Sequence, residues 1–186
     1  MKTPKPVSSV PPALTDVKRI RDRARQHIEE GAVTAGYGAD RGVVLALLNA
    51  ALATELVCVL RYRRHYHVAS GFRGATAAAE FLEHAVEEQQ HADQIAQRIV
   101  QLGGKPDFDP DGLQNRSHSE YKACDSLDEM IRENLVAERV AIESYTEMIR
   151  YIGDGDPTTR RLLEEILAKE EEHADDMADL LRTVDG

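Results

Sequence analysis

"AKEEEHADDMADLL", residues 168–181, poses the question from which the fold follows. His173 falls on the apolar stripe of Leu163, Ile166, Leu167, Met177 and Leu180, and Glu170 lies one turn before it on that stripe. A buried charge left alone is costly, so such a side chain is paired, neutralised or given a cation. The motif also has a twin. "EEEHAD" from Glu170 returns as "EQQHAD" from Glu88, with His91 standing where His173 stands. Thirty-three residues before Glu88 comes Glu55 in "ELVCVLRY", and thirty-two before Glu170 comes Glu138 in "ERVAIESY". Seven residues after each lone glutamate is a tyrosine, Tyr62 and Tyr145. The midpoints of the two pairs fall at Gly71/Phe72 and Asp154, so each lone glutamate lies level with its Glu-x-x-His across a hairpin.

Working outward, the 3.6-residue periodicity predicts four long helices at about 41–69, 74–102, 126–152 and 157–182. "SGFRG" and "GDGDP" read as tight turns, and Asp156 before Pro157 reads as an N-cap and first-turn pair. Between the second and third helices lies "GGKPDFDPDGLQNRSHSEYKACD", a stretch rich in turn formers. A loop of ~21 residues reaches up to ~70 Å, more than the ~42 Å length of a 28-residue helix. An all-α four-helix bundle with one long crossover, as in ferritin-like folds, is the architecture expected over 41–186. Residues 1–14, with four prolines, read as an extended arm. "TDVKRIRDRARQHIEEG" reads as a short helix capped by Thr15 and closed by Gly31, so 1–40 forms an N-terminal extension.

Composition agrees with an all-α chain: 186 residues, three Phe and no Trp. The formal charge is −10, yet residues 1–30 carry seven Lys/Arg against four Asp/Glu, so the remainder stands at −13. Such a body repels nucleic acid and attracts cations. Two cysteines far apart in sequence suit a reducing compartment. No signal core or uncharged apolar run of membrane length is read, and a cytoplasmic protein without a membrane partner is expected.

Glu55, Glu88, Glu138 and Glu170 all sit on apolar stripes and so converge on the core. Four carboxylates there repel strongly unless cations join them, and two divalent ions supply the matching charge. Carboxylate oxygens with the imidazoles of His91 and His173 suit iron, with manganese also possible.

With these residues in place, the chain resembles the bacterioferritin and Dps-like branch of the ferritin-like superfamily over about 41–183. The resemblance implies bridging roles for Glu88 and Glu170, with Glu55, Glu138, His91 and His173 as terminal ligands of two iron ions. It also implies a ferroxidase that oxidises Fe(II) with dioxygen or peroxide and stores Fe(III) mineral in a hollow shell. Bacterioferritins carry a haem-ligating methionine directly after the bridging glutamate of the second helix; Gln89 stands there, and no haem is expected. The chain lacks the fifth helix of 24-subunit cages, so a 12-subunit shell is expected. Alternatives are manganese-catalase-like peroxide dismutation and a non-catalytic DNA-compacting scaffold, whose DNA contact would fall to the basic "KRIRDRARQ".

Around the centre, Tyr62 reads as a hydrogen-bond partner of a ligand, and Asn134 as a group orienting a ligand histidine. Tyr145 reads as either such a partner or a structural core tyrosine. His84 reads either as an auxiliary ligand or as a hydrogen-bonded core histidine. His65 and His67, at the arginine-rich end of the first long helix, are expected at the surface. Cys58 reads as packing, and Cys124 has no assigned role.

Overall fold

The structure, a computed structural model, describes residues 16–69 and 71–185. The proline-rich arm and Thr15 lie outside these residues. The described chain before Gly38 forms one compact unit and the chain from Gly38 onward another.

In the first unit, α1 spans Val17–Ala24, and its N-cap is Asp16, whose carboxylate accepts from Lys18 N–H at 3.0 Å. The single helix expected up to Gly31 is broken: His27 takes φ 51°, and a separate 3₁₀ turn follows at Ile28–Glu30. No residue of α1 is buried, and Arg19/Arg23 and Arg21/Arg25 repel at i,i+4 spacing, so little holds this helix beyond two turns.

The second unit is a four-helix bundle with no strand among the described residues. Its elements are α2 (Arg41–Val68), α3 (Gly71–Gln101), a single-turn α4 (Leu113–Arg116), α5 (Leu127–Ile152) and α6 (Pro157–Asp185). Asp40 caps α2 by accepting from Val43 N–H, and Ser126 caps α5 by accepting from Glu129 N–H. "SGFRG" is not all turn, because the backbone is already helical from Gly71. A Cβ at Gly74 would stand 3.3 Å from the Ala69 carbonyl carbon, so glycine permits this close entry into α3.

The pairs α2–α3 and α5–α6 form antiparallel hairpins, and α2 also packs on α5 and α3 on α6. The connection from α3 to α5 is laid lengthwise along α2. Asp107 N–H donates to Asn49 Oδ1, His118 N–H to Thr54 Oγ1, and Arg64 Nε to the Ala123 carbonyl. Loop backbone groups thus find partners on α2 at rising height, which is how a long connection survives on the bundle. The crossover returns the chain to the end where α3 began, so α3 and α5 run the same way.

Leu48, Leu52, Phe81, Ile95, Ile99, Met130, Ile131, Leu163 and Met177 are buried in the core. At one end, Arg98 Nη2 of α3 donates to both carboxylate oxygens of Asp156 at 2.9 and 3.1 Å, while Asp156 caps α6 by accepting from Thr159 N–H. By length and composition α2 could cross a membrane; in this fold it is a core helix of the bundle.

Candidate metal centre

The six residues singled out by the repeat come from four helices and meet at mid-height. Glu55 is on α2, Glu88 and His91 on α3, Glu138 on α5, and Glu170 and His173 on α6; none is more than 6% exposed. One turn of helix separates glutamate from histidine in α3 and in α6, so each pair points to the same side.

Their donor atoms fall into two overlapping sets. Glu55, Glu88, His91 and Glu170 each place one ligand atom within 4.8 Å of the others, and Glu88, Glu138, Glu170 and His173 do the same. Glu88 and Glu170 belong to both sets. His91 Nδ1 lies 3.0 Å from Glu170 Oε1, 3.2 Å from Glu88 Oε2 and 3.3 Å from Glu55 Oε2. One N–H can point at only one acceptor, so three carboxylate oxygens around one nitrogen is the crowding of ligands about a cation. His173 Nδ1 faces Glu88 Oε1 at 3.7 Å and Glu170 Oε2 at 3.9 Å.

The residues fit divalent cations on the evidence of their own unmet bonding. Glu55 Oε2, Glu88 Oε1, Glu138 Oε2, Glu170 Oε1 and His173 Nδ1 are buried and make no hydrogen bond of good geometry. Buried polar atoms are otherwise nearly always satisfied. Oxygen-rich sets with one imidazole each suit iron or manganese, and the cluster is consistent with a di-iron site.

Electrostatics say the same. Burial, and then the Glu88 charge, push Glu55 up to about 8 and raise Glu138 and Glu170 as well. Burial would raise Glu88 too, but the facing imidazoles of His173 and His91 hold it well below the ordinary value. Burial opposes the charged imidazoles, yet the facing carboxylates lift His91 to about 12 and His173 to about 9. Without cations, the cluster neutralises itself by keeping protons.

The tyrosines of the repeat cross between its halves. Tyr62, seven residues after Glu55, donates to Glu138 Oε1, and Tyr145, seven after Glu138, donates to Glu55 Oε1. Each lone carboxylate therefore has one oxygen held by the opposite hairpin and one left for a cation.

Two neighbours, Asn134 and His65, differ from expectation. Asn134 does not orient a ligand histidine: its Oδ1 accepts from Arg61 Nε at 2.8 Å and stands 3.2 Å from His65 Nδ1. His65 is fully buried, not superficial, because its Nε2 reaches the Lys122 carbonyl of the crossover at 3.0 Å. His67 is exposed. Cys58 is buried and lies 3.6 Å from Arg61 Nη2, and burial pushes its thiol up. Cys124 is partly buried with φ 48°. His84 is buried, stacks on His173 with ring centroids 4.0 Å apart, and lies 3.2 Å from Tyr62 Oη.

Glu87 escaped the sequence reading. Its Oε2 meets His173 Nε2 at 2.6 Å, leaving Nδ1 for the cluster. The signal available was the doubled glutamate at 87–88, which a charged-face reading absorbs as solvated.

The ferritin-like domain family matches residues 45–186. The bacterioferritin of Rhodobacter capsulatus is 31% identical over 136 residues, 71% of this chain and 78% of that protein. The DNA protection during starvation protein of Pyrococcus furiosus is 30% identical over 145 residues, 73% of this chain and 75% of that protein. Among solved structures, a dodecameric thioferritin, the bacterioferritin-related protein from Bacteroides fragilis, is similar with a TM-score of 0.76 and 34% identity, over 79% of this chain and 89% of that one.

Proposed function

This chain belongs to the ferritin-like domain family, and from that premise we propose that it is a ferroxidase taking two Fe(II) ions per subunit as substrate. The observation that carries this reading is the pair of donor sets sharing Glu88 and Glu170. In it, Glu55 and His91 complete one position, Glu138 and His173 the other, and the two shared carboxylates hold the positions together. Two Fe(II) ions give up one electron each, reducing dioxygen with two protons to peroxide, or peroxide with two protons to water.

The protein's part is electrostatic and positional. Four carboxylates balance two divalent charges in a buried setting where unbalanced charge of either sign is penalised. Tyr62 and Tyr145 fix the orientation of Glu138 and Glu55, and Glu87 fixes the tautomer of His173. Protons retained by Glu55, Glu138 and Glu170 are displaced as cations load.

Storage in a twelve-subunit shell is the assembly we propose, supported by the likeness to the dodecameric Bacteroides fragilis protein and by the formal charge of −10, which favours cation uptake. Two measurements test the reading. Fe(II) added under air, or with peroxide under argon, is expected to oxidise rapidly and remain with the protein as Fe(III). Native mass should give twelve copies of 20.7 kDa, about 250 kDa. Oxygen release from peroxide without iron retention would favour a manganese-catalase-like activity instead, and a stable monomer or dimer would remove storage.

A further inference from the structure

Beside the four-helix centre, α3 and α6 bring another donor set together. Glu80, His84 and Asp176 place one ligand atom each within 4.8 Å of one another. His84 is buried, while both carboxylates are half-buried and reach solvent. None of the six repeat residues belongs to this set.

The hydrogen-bond network fixes what His84 presents to it. Tyr62 donates its hydroxyl proton to Glu138 Oε1, so its oxygen is left to accept, and His84 Nδ1–H at 3.2 Å is the donor. Assigned this way, the neutral ring carries a lone pair on Nε2. That nitrogen faces Asp176 Oδ2 at 3.5 Å, longer than an ordinary N–H···O bond. Acceptor then faces acceptor, with Glu80 adding a second carboxylate. A divalent cation between them converts this repulsion into ligation, because donors ~2.1 Å from one ion stand roughly 3–3.5 Å apart.

We propose that Glu80, His84 and Asp176 form a third divalent-cation site at the solvent edge of the α3–α6 seam, suited to Fe(II), Mn(II) or Zn(II). Its inner boundary is the centre itself. His84 also shares a ligand set with Glu138 and His173, again with donor atoms within 4.8 Å. A cation held at the seam is therefore one imidazole away from the interior positions, placed to load them. The loading role rests on the ferroxidase reading; cation binding at the triad does not.

The test uses the full chain crystallised and equilibrated with Mn(II), read by anomalous diffraction, alongside the double variant Glu80→Gln/Asp176→Asn. Both replaced groups reach solvent and are replaced isosterically, so the fold should be retained. Three peaks per subunit are expected in the wild type, with the seam peak lost and both interior peaks kept in the variant. Fe(II) oxidation at sub-saturating iron should fall about tenfold in the variant, with the saturating rate unchanged. Filled interior positions beside an empty seam in the wild type would overturn the proposal, as would a seam peak that survives the double substitution. A filled seam with empty interior positions would support the third site and remove the di-metal reading. Unchanged oxidation at every iron concentration, with the seam peak lost, would overturn the loading role.

Discussion

At the scale of single residues, the proposed centre would depend on side chains outside its two donor sets as well as on those within them. Glu87 fixes His173 through Nε2, and losing such a carboxylate ordinarily costs about 10–100-fold in metal affinity or activity. Glu87→Gln is thus expected to weaken Mn(II) binding, measured by titration calorimetry, within that range and with unchanged helix content. An affinity equal to the wild type would mean that the 87–173 contact orients nothing. Glu170→Ala is a harsher change, because Glu170 lies in both donor sets. Rapid Fe(II) oxidation should disappear altogether in stopped-flow absorbance, whereas oxidation at half the wild-type rate would point to two independent sites. The tyrosine contacts could be glimpsed in the sequence only as a spacing of seven. That Tyr62 serves Glu138 and Tyr145 serves Glu55 depends on helices from different hairpins.

At the scale of elements, the bundle end between α3 and α6 is held by Arg98 and Asp156. Both are buried, and the carboxylate also satisfies the first turn of α6. Removing one partner of a buried ion pair leaves an uncompensated charge and costs about 3–5 kcal/mol. Asp156→Ala is expected to lower the melting temperature by on the order of 10 °C, whereas Arg98→Met/Asp156→Leu together should recover much of that loss. Equal destabilisation by the single and double changes would assign the effect to the cap alone. The cap itself was legible, since Asp-Pro is a local signal. Its grip on Arg98 was not, because 58 residues separate the two. The same division explains His65. Read locally, it belongs to a cationic helix end, but the returning crossover covers it.

At the scale of the whole molecule, the proposed centre is expected to make stability depend on pH and metal together. Glu55, raised from 4.5 to about 8, binds protons in the folded state that the unfolded chain has released, and His173, raised from 6.5 to about 9, does likewise. The metal-free fold therefore loses stability as pH rises from about 6.5 to about 9; below 6.5, His84, which burial holds down to about 4, works in the opposite sense. His91, raised to about 12, extends the same trend upward. Glu88 works in the opposite sense, but its contribution is lost only as pH falls below the unfolded value of 4.5. Bound cations replace those protons, so the gain in melting temperature on Mn(II) loading should widen from about pH 5.5 to about pH 8.5. Calorimetric scans of apo and loaded protein check this, and a gap that is constant or narrows with pH would show that the carboxylates do not share cations.

By itself, the sequence determined whatever depends on distance along a helix. Glu-x-x-His sets two donors on one face, a repeat of 33 and 32 residues brings each pair level across its hairpin, and the length of the crossover selects the topology. These follow from 3.6 residues per turn and 1.5 Å per residue. Only the tertiary structure decided which groups meet between helices: that Glu88 and Glu170 are common to both donor sets, that the tyrosines cross over, that Glu87 holds His173, and that Glu80, His84 and Asp176 face one another. Those contacts are set by the rotation of each helix about its axis, and that rotation is fixed by the packing of every core side chain at once.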